Sequence, residues 1–274
     1  MKCTTYLKRA ASAAVLVLGV VAVFTAPVAA VSAAAPESTK ATIVLIHGAW
    51  AGSSSWDGVI SRLQADGYTV VATANPLRSL KGDSDYVSGI VKNVKGPVVL
   101  VGHSYGGSII TNVATDADNI KAMVFVAAYA PESGESAFDL TGKYQGSILP
   151  GALAAPIAVA DGAHDLYVQQ DKFRSVFAAD VPEKQARLMA ATQRPVTDAA
   201  LKGASSAPTW KNIPCWFVYG SADKIIPPAA HAFMAQRASA KESVVVSGAS
   251  HLVMVSHPSV VAELIEKAAT ATAK

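Results

Sequence analysis

The chain has 274 residues, 51% hydrophobic and 16% charged, with a formal charge of +3 and two cysteines. That length is ample for one large domain and thin for two, and Cys3 with Cys215 is too few for a disulfide-stapled framework. The basic excess belongs to the first residues, so it says nothing about a nucleic-acid partner. Lys2, Lys8 and Arg9 flank or precede the apolar run Ala10 to Phe24, and Pro27 then leads into VAAVSAAA, the three-part layout of a secretory signal peptide. A run of about 15 residues falls short of the ~20 that span a bilayer. Residues 1–34 are therefore expected to be removed on export, leaving a secreted or periplasmic protein with no stable membrane anchor. Removal takes three of the 23 basic residues and none of the 20 acidic ones, leaving 20 of each. No Lys/Arg run marks a phosphate-binding stripe, so nucleic acid is not an expected partner. Cys215 is then the sole cysteine. It lies within the apolar IPCWFVYG and reads as a buried small hydrophobe, which leaves stability to the core.

Strand-length apolar runs recur at Ala41 to Ile46, Tyr68 to Ala72, Val98 to Val101, Ala122 to Ala127, Cys215 to Tyr219 and Ser243 to Val246. Runs apolar on both faces belong in a parallel sheet covered on each side. Helical patterns alternate with them at Ser54 to Ala65, Asp83 to Val94, Tyr105 to Thr115, Pro228 to Ala238 and Pro258 to Ala269. The expected fold class is α/β: a doubly wound, mostly parallel sheet of about six strands with helices on both faces. One connection is far longer than a crossover needs, and it predicts an inserted helical cap at 131–212 between core segments 35–130 and 213–274. Within it, Phe173, Val176 and Phe177 have helical spacing, and Asp180 with Glu183 around Pro182 reads as a helix start.

Gly102-His103-Ser104-Tyr105-Gly106 fits G-x-S-x-G at the end of an apolar strand and the start of a helix. On so tight a turn, side chains two positions either side of the serine would clash, and the hydroxyl is left exposed at the helix's amino end. A serine needs a base, itself oriented by an acid, and in this class of turn the order is Ser, Asp or Glu, then His. Asp223 stands in the loop after the Cys215 strand, and His251 in the loop after the Ser243 strand. Asp198 and Asp139 compete with Asp223, and His257 with His251. His257 precedes Pro258 and reads instead as the start of the last helix. His231, in a predicted helix, and His164, in the cap, are placed away from the strand ends. His164 with Asp161 and Asp165 lacks a fourth metal ligand, and no metal is expected. Oxyanion donors are expected from the amides of Tyr105 and Ala49, the latter after Gly48 in VLIHGAW. His47 there reads as support for the loop, while Trp50 and Trp56 either line the way in or pack the next helix.

With IHGAW, GHSYGG, VYGSADKIIPP and SGASHLVMVSHP in this order, the chain resembles the α/β-hydrolase superfamily, and within it the small capped branch of plant methylesterases, hydroxynitrile lyases and bacterial carboxylesterases. Hydroxynitrile lyases of that branch carry a threonine after the first-strand histidine and a lysine after the catalytic histidine. Gly48 and Leu252 stand here, which favours ester hydrolysis. Together with the signal layout and the apolar cap, this resemblance gives the expectation of a secreted serine carboxylesterase with Ser104, Asp223 and His251 as its triad, acting on small acyl or aryl esters without a cofactor. Trp50 and the cap residues Phe138, Tyr167, Phe173 and Phe177, with Leu149 and Met189, are candidates for an apolar pocket. A cofactor-free haloperoxidase or perhydrolase with the same triad, and a ligand-binding receptor on a hydrolase fold, are the alternatives. Oligomeric state is not legible in the sequence.

Overall fold

The six apolar runs form six strands of a single parallel sheet. The computed structural model describes residues 40–113 and 118–273; the expected signal segment lies outside them. In chain order, β1 (Thr42–Ile46) leads to α1 (Asp57–Ala65), β2 (Val70–Ala72), α2 (Leu80–Asn93), β3 (Val98–His103), α3 (Tyr105–Thr111) and β4 (Ile120–Val126). After a long connection come β8 (Cys215–Gly220), α8 (Pro228–Arg237), β9 (Glu242–Val246), α9 (Val253–Ser256) and α10 (Pro258–Ala271). The long connection itself holds α4 (Ala137–Lys143), β5 (Ile157–Ala158), β6 (His164–Leu166), α5 (Gln170–Phe177), α6 (Glu183–Ala191), β7 (Val196–Thr197) and α7 (Asp198–Lys202).

The sheet order is β2-β1-β3-β4-β8-β9, with every pairing parallel. β1, β3 and β4 lie at its centre. All of β3 is buried and nearly all of β1 and β4, so burial on both faces explains why these runs read as continuous rather than alternating. α1 and α10 pack together on one face of the sheet, and α2 and α3 pack together on the other. Because the strands are parallel, their carboxyl ends share one rim. The loops after Ile46, His103, Val126, Gly220 and Val246 all emerge there.

The sequence predicted helix alone between β4 and β8, and an antiparallel sheet β5-β6-β7 also forms. Its strands are only two or three residues long, too short for a period to register. α5 follows the predicted spacing, with Phe173, Val176 and Phe177 buried. Asp180 differs from its expected role. α6 starts without a side-chain cap, and the Asp180 carboxylate turns instead to Ser250, accepting its backbone N–H at 3.1 Å and its hydroxyl. Among the described residues no helix is long and apolar enough to cross a membrane.

Candidate active site

β3 runs into α3 through a turn that only small neighbours allow. A Cβ on Gly102 would lie 2.6 Å from the Gly106 carbonyl oxygen, and one on Gly106 would lie 2.5 Å from that of Ile46. Between them Ser104 adopts φ +53° and ψ −123°, a left-handed conformation costly for a side-chain-bearing residue. Backbone bonds hold it there: Ser104 N–H donates to Val126 O at 3.3 Å, while its carbonyl accepts from Gly107 at 2.9 Å and Tyr129 at 3.2 Å. Tyr105 opens α3, so its amide is one of the first-turn N–H groups with no carbonyl partner in the helix. Its phenol is anchored below by donating to the buried Asp83 carboxylate at 2.9 Å.

Asp223 and His251, from separate loops, meet directly. His251 Nδ1 lies 2.7 Å from Asp223 Oδ2, with both side chains fully buried. Since a carboxylate can only accept, Nδ1 carries the proton and Nε2 presents a lone pair, which has no hydrogen-bond partner in the structure. Asp223 Oδ1 accepts from the amides of Ile225 and Ile226 at 2.8 and 3.0 Å. Burial by itself would raise this carboxyl, but the hydrogen bonds and electrostatic attraction of the His251 and His231 imidazoles outweigh it and hold the group below its ordinary range. Ser104 approaches His251 through its chain neighbour: His103 Nε2 donates to the His251 carbonyl at 3.1 Å, and the two rings are 4.8 Å apart. Burial, with His251 alongside, keeps His103 well below its usual value and hence neutral.

The β1 loop presses onto the turn. A Cβ on Gly48 would sit 2.6 Å from Ser104 Cβ, so glycine lets the backbone bring Ala49 beside the serine. His47 supports this loop as expected. Arg194, which can only donate, reaches His47 Nε2 at 3.0 Å, so Nδ1–H donates to Gly48 O at 2.8 Å. Burial holds His47 down to about 4, so it stays neutral. Trp50, at φ +57°, donates its indole N–H to Leu166 O at 2.8 Å. Trp56 is fully buried against His103 and packs rather than lining the way in.

A cavity of about 840 Å³ opens above the serine between the rim of the sheet and the long connection. Ala49, Trp50, Ser104 and Tyr105 form its floor, and Phe138, Tyr144, Leu149, Leu153 and Leu166 belong to its walls. Four expected pocket residues are not on the wall. Phe173 and Phe177 are fully buried because the apolar face of α5 turns down onto the site's base: Phe177 packs 5.0 Å from the His251 ring and 6.0 Å from that of Trp50. Tyr167 follows the strand alternation, in which His164 and Leu166 face the cavity and their neighbours face away. Met189 also lies off the wall, packed against the core. The competing acids have other roles. Asp139 forms a capping box with Ser136, and Asp198 pairs with Lys202 at 2.9 Å. His257 starts α10 and sits 3.5 Å from Asp180. Among the described residues no three His, Cys, Asp or Glu side chains gather as a metal site.

One residue was misplaced by the sequence. His231 of α8 reaches back to the rim and donates from Nε2 to Asp223 Oδ2 at 3.1 Å. Its signal is a polar residue in register with a buried helical face, since His231, Met234 and Ala235 are all buried at i, i+3 and i+4.

Known proteins agree with this architecture. The chain is 26% identical over 263 residues to a pyrethroid hydrolase of Sphingobium wenxiniae, covering 86% of this chain and 90% of that protein. It is 33% identical over 116 residues to a carbendazim hydrolyzing esterase of a Nocardioides species, 38% of this chain, and so spans about half of that relative, 48%. Among solved structures, polyneuridine aldehyde esterase matches in fold with a TM-score of 0.73 at 17% identity, over 84% of this chain and 99% of the other. The family described as alpha/beta hydrolase matches residues 43–264, from β1 into α10. With that stretch including the serine turn, the β8 loop and the β9 loop, the chain belongs to the alpha/beta hydrolase family.

Proposed function

We propose that this hydrolase is a serine carboxylesterase in which Ser104, His251 and Asp223 act as nucleophile, base and orienting acid. The observation that carries the reading is the 2.7 Å contact between Asp223 Oδ2 and His251 Nδ1, which leaves Nε2 as an unpartnered lone pair beside the strained serine turn. Ser104 Oγ attacks the ester carbonyl as His251 Nε2 takes its proton, and the amides of Ala49 and Tyr105 receive the negative charge on the carbonyl oxygen. Each such donor is worth about 3 kcal/mol in the transition state. The imidazolium then protonates the departing alcohol, and a water, deprotonated by the same nitrogen, releases the acid from Ser104. His251 Nε2 has no other hydrogen-bond partner in the structure, so its lone pair is free to take the Ser104 proton.

The apolar walls of a cavity of about 840 Å³ suit small acyl or aryl esters, in keeping with relatives named for pyrethroid and carbendazim hydrolysis. In this reading 131–212 is a cap over the core segments 35–130 and 213–274, and residues 1–34 direct export. The test is a panel of aryl and methyl esters of increasing acyl length, run on wild type and Ser104→Ala. Wild type gives a burst of alcohol followed by steady turnover, and Ser104→Ala loses activity by at least about 10³-fold. Equal turnover by the two would overturn the assignment, and tight ligand binding without turnover by either would favour a receptor.

A further inference from the structure

Asp223 holds more partners than the three-residue reaction requires. Its four hydrogen bonds come from two amides on Oδ1 and two imidazoles on Oδ2, and the second imidazole, His231, takes no part in the chemistry above. His231 is not incidental packing. Its side chain is 1% exposed, and its ring stacks on Tyr219 at 4.7 Å with planes 21° apart. That stack fixes the direction in which Nε2 points. Because the carboxylate oxygen only accepts, Nε2 carries a proton.

We propose that His231 is a positioning residue that shares Asp223 Oδ2 with His251, limiting the carboxylate's pull on the catalytic imidazole and thereby setting the pH below which the enzyme loses its base. The proposal rests on the triad reading above. An oxygen already accepting one N–H is a weaker acceptor for a second, so the His251 imidazolium is stabilised less than by an Asp serving it alone. A base that protonates less readily stays competent to lower pH. Burial lowers His231 from its ordinary 6.5, so it serves as a neutral donor rather than a second cation.

Other ionisable groups surround this pair. His103 of β3 contacts His251 and is neutral, and His47 behind it is neutral as well. Asp180 reaches the loop through Ser250. Burial raises the Tyr129 phenol far above its ordinary value, and Tyr219 supplies the stacking face.

The experiment compares kcat/KM against pH for wild type, His231→Leu and His231→Gln on an aryl acetate, with fluorophosphonate labelling of Ser104 and a melting curve for each. The Leu variant removes the donor, and its acid limb moves up by about one pH unit, a tenfold change in proton affinity. The Gln variant restores a neutral N–H donor and returns the limb to the wild-type position. Should the Leu variant not fold, His231→Asn, whose amide is one carbon too short to reach Oδ2, makes the same removal. An acid limb that stays put in the folded Leu or Asn variant, or that Gln does not restore, overturns the proposal while leaving the triad standing. Failure of wild type to turn over or to be labelled at Ser104 overturns the triad itself.

Discussion

Ser104→Gly is expected to make the protein more stable and inactive. The serine holds φ +53° and ψ −123°, a conformation that costs a residue with a Cβ about 1–3 kcal/mol and that glycine adopts freely. Glycine's greater freedom in the unfolded chain returns about 0.5–1 kcal/mol of this. The hydrogen bonds that fix the turn are all made by the backbone of residue 104 and survive the change. The net gain is about 1 kcal/mol, a rise in Tm of about 2–4 °C for a domain of this size. Ser104→Ala keeps the Cβ and with it the strain, so it should melt with the wild type. Paired thermal melts at several scan rates, alongside ester hydrolysis, make the comparison. A glycine variant melting at or below the alanine variant would refute the claim that the side chain strains the turn.

Asp180→Ala removes the acceptor of two Ser250 donors and should cost about 2 kcal/mol at neutral pH, read by urea denaturation, with a lower kcat as the His251 loop loosens. Burial would raise the Asp180 carboxyl, but hydrogen bonds from Ser250 and Ser256 prevail and lower it from 3.8. A carboxyl lowered by folding stabilises above its unfolded pKa and stops doing so as pH falls through the folded one. The variant's deficit should therefore be full at pH 7 and close below about pH 4. Phe177→Ala should destabilise by about 3–5 kcal/mol, since the ring is fully buried against His251 and Trp50. Phe138→Ala, at a 61% exposed position on the cavity wall, should leave Tm within about 2 °C. It should raise KM for long acyl esters more than for acetates.

The core was legible because a parallel sheet buried on both faces writes itself as plain apolar runs. The serine turn was legible because a clash at Gly102 or Gly106 leaves glycine as the tolerated residue. Asp223 and His251 could be placed by their distance past a strand end, as one rim collects every such loop. Pocket residues could not. The spacing of Phe173 and Phe177 shows that a helix has an apolar face, and the same spacing serves a face turned to a cavity or to the site's base. His231 escaped for a related reason: its meeting with Asp223 depends on how far α8 tilts back over the rim, which no local pattern records. Asp180 shows the opposite failure, a local capping pattern overridden by a long-range partner, Ser250.

The stretch of chain that walls the cavity also tethers the His251 loop, through Asp180. On the proposed triad, room for the substrate and readiness of the base are thus mechanically linked. Remodelling α4 or β6 to admit bulkier esters leaves that tether alone, whereas insertions or deletions between α5 and α6 would shift selectivity and turnover together. Directed evolution for new substrates should accordingly find its freely adjustable positions among the cavity-wall residues between 137 and 166.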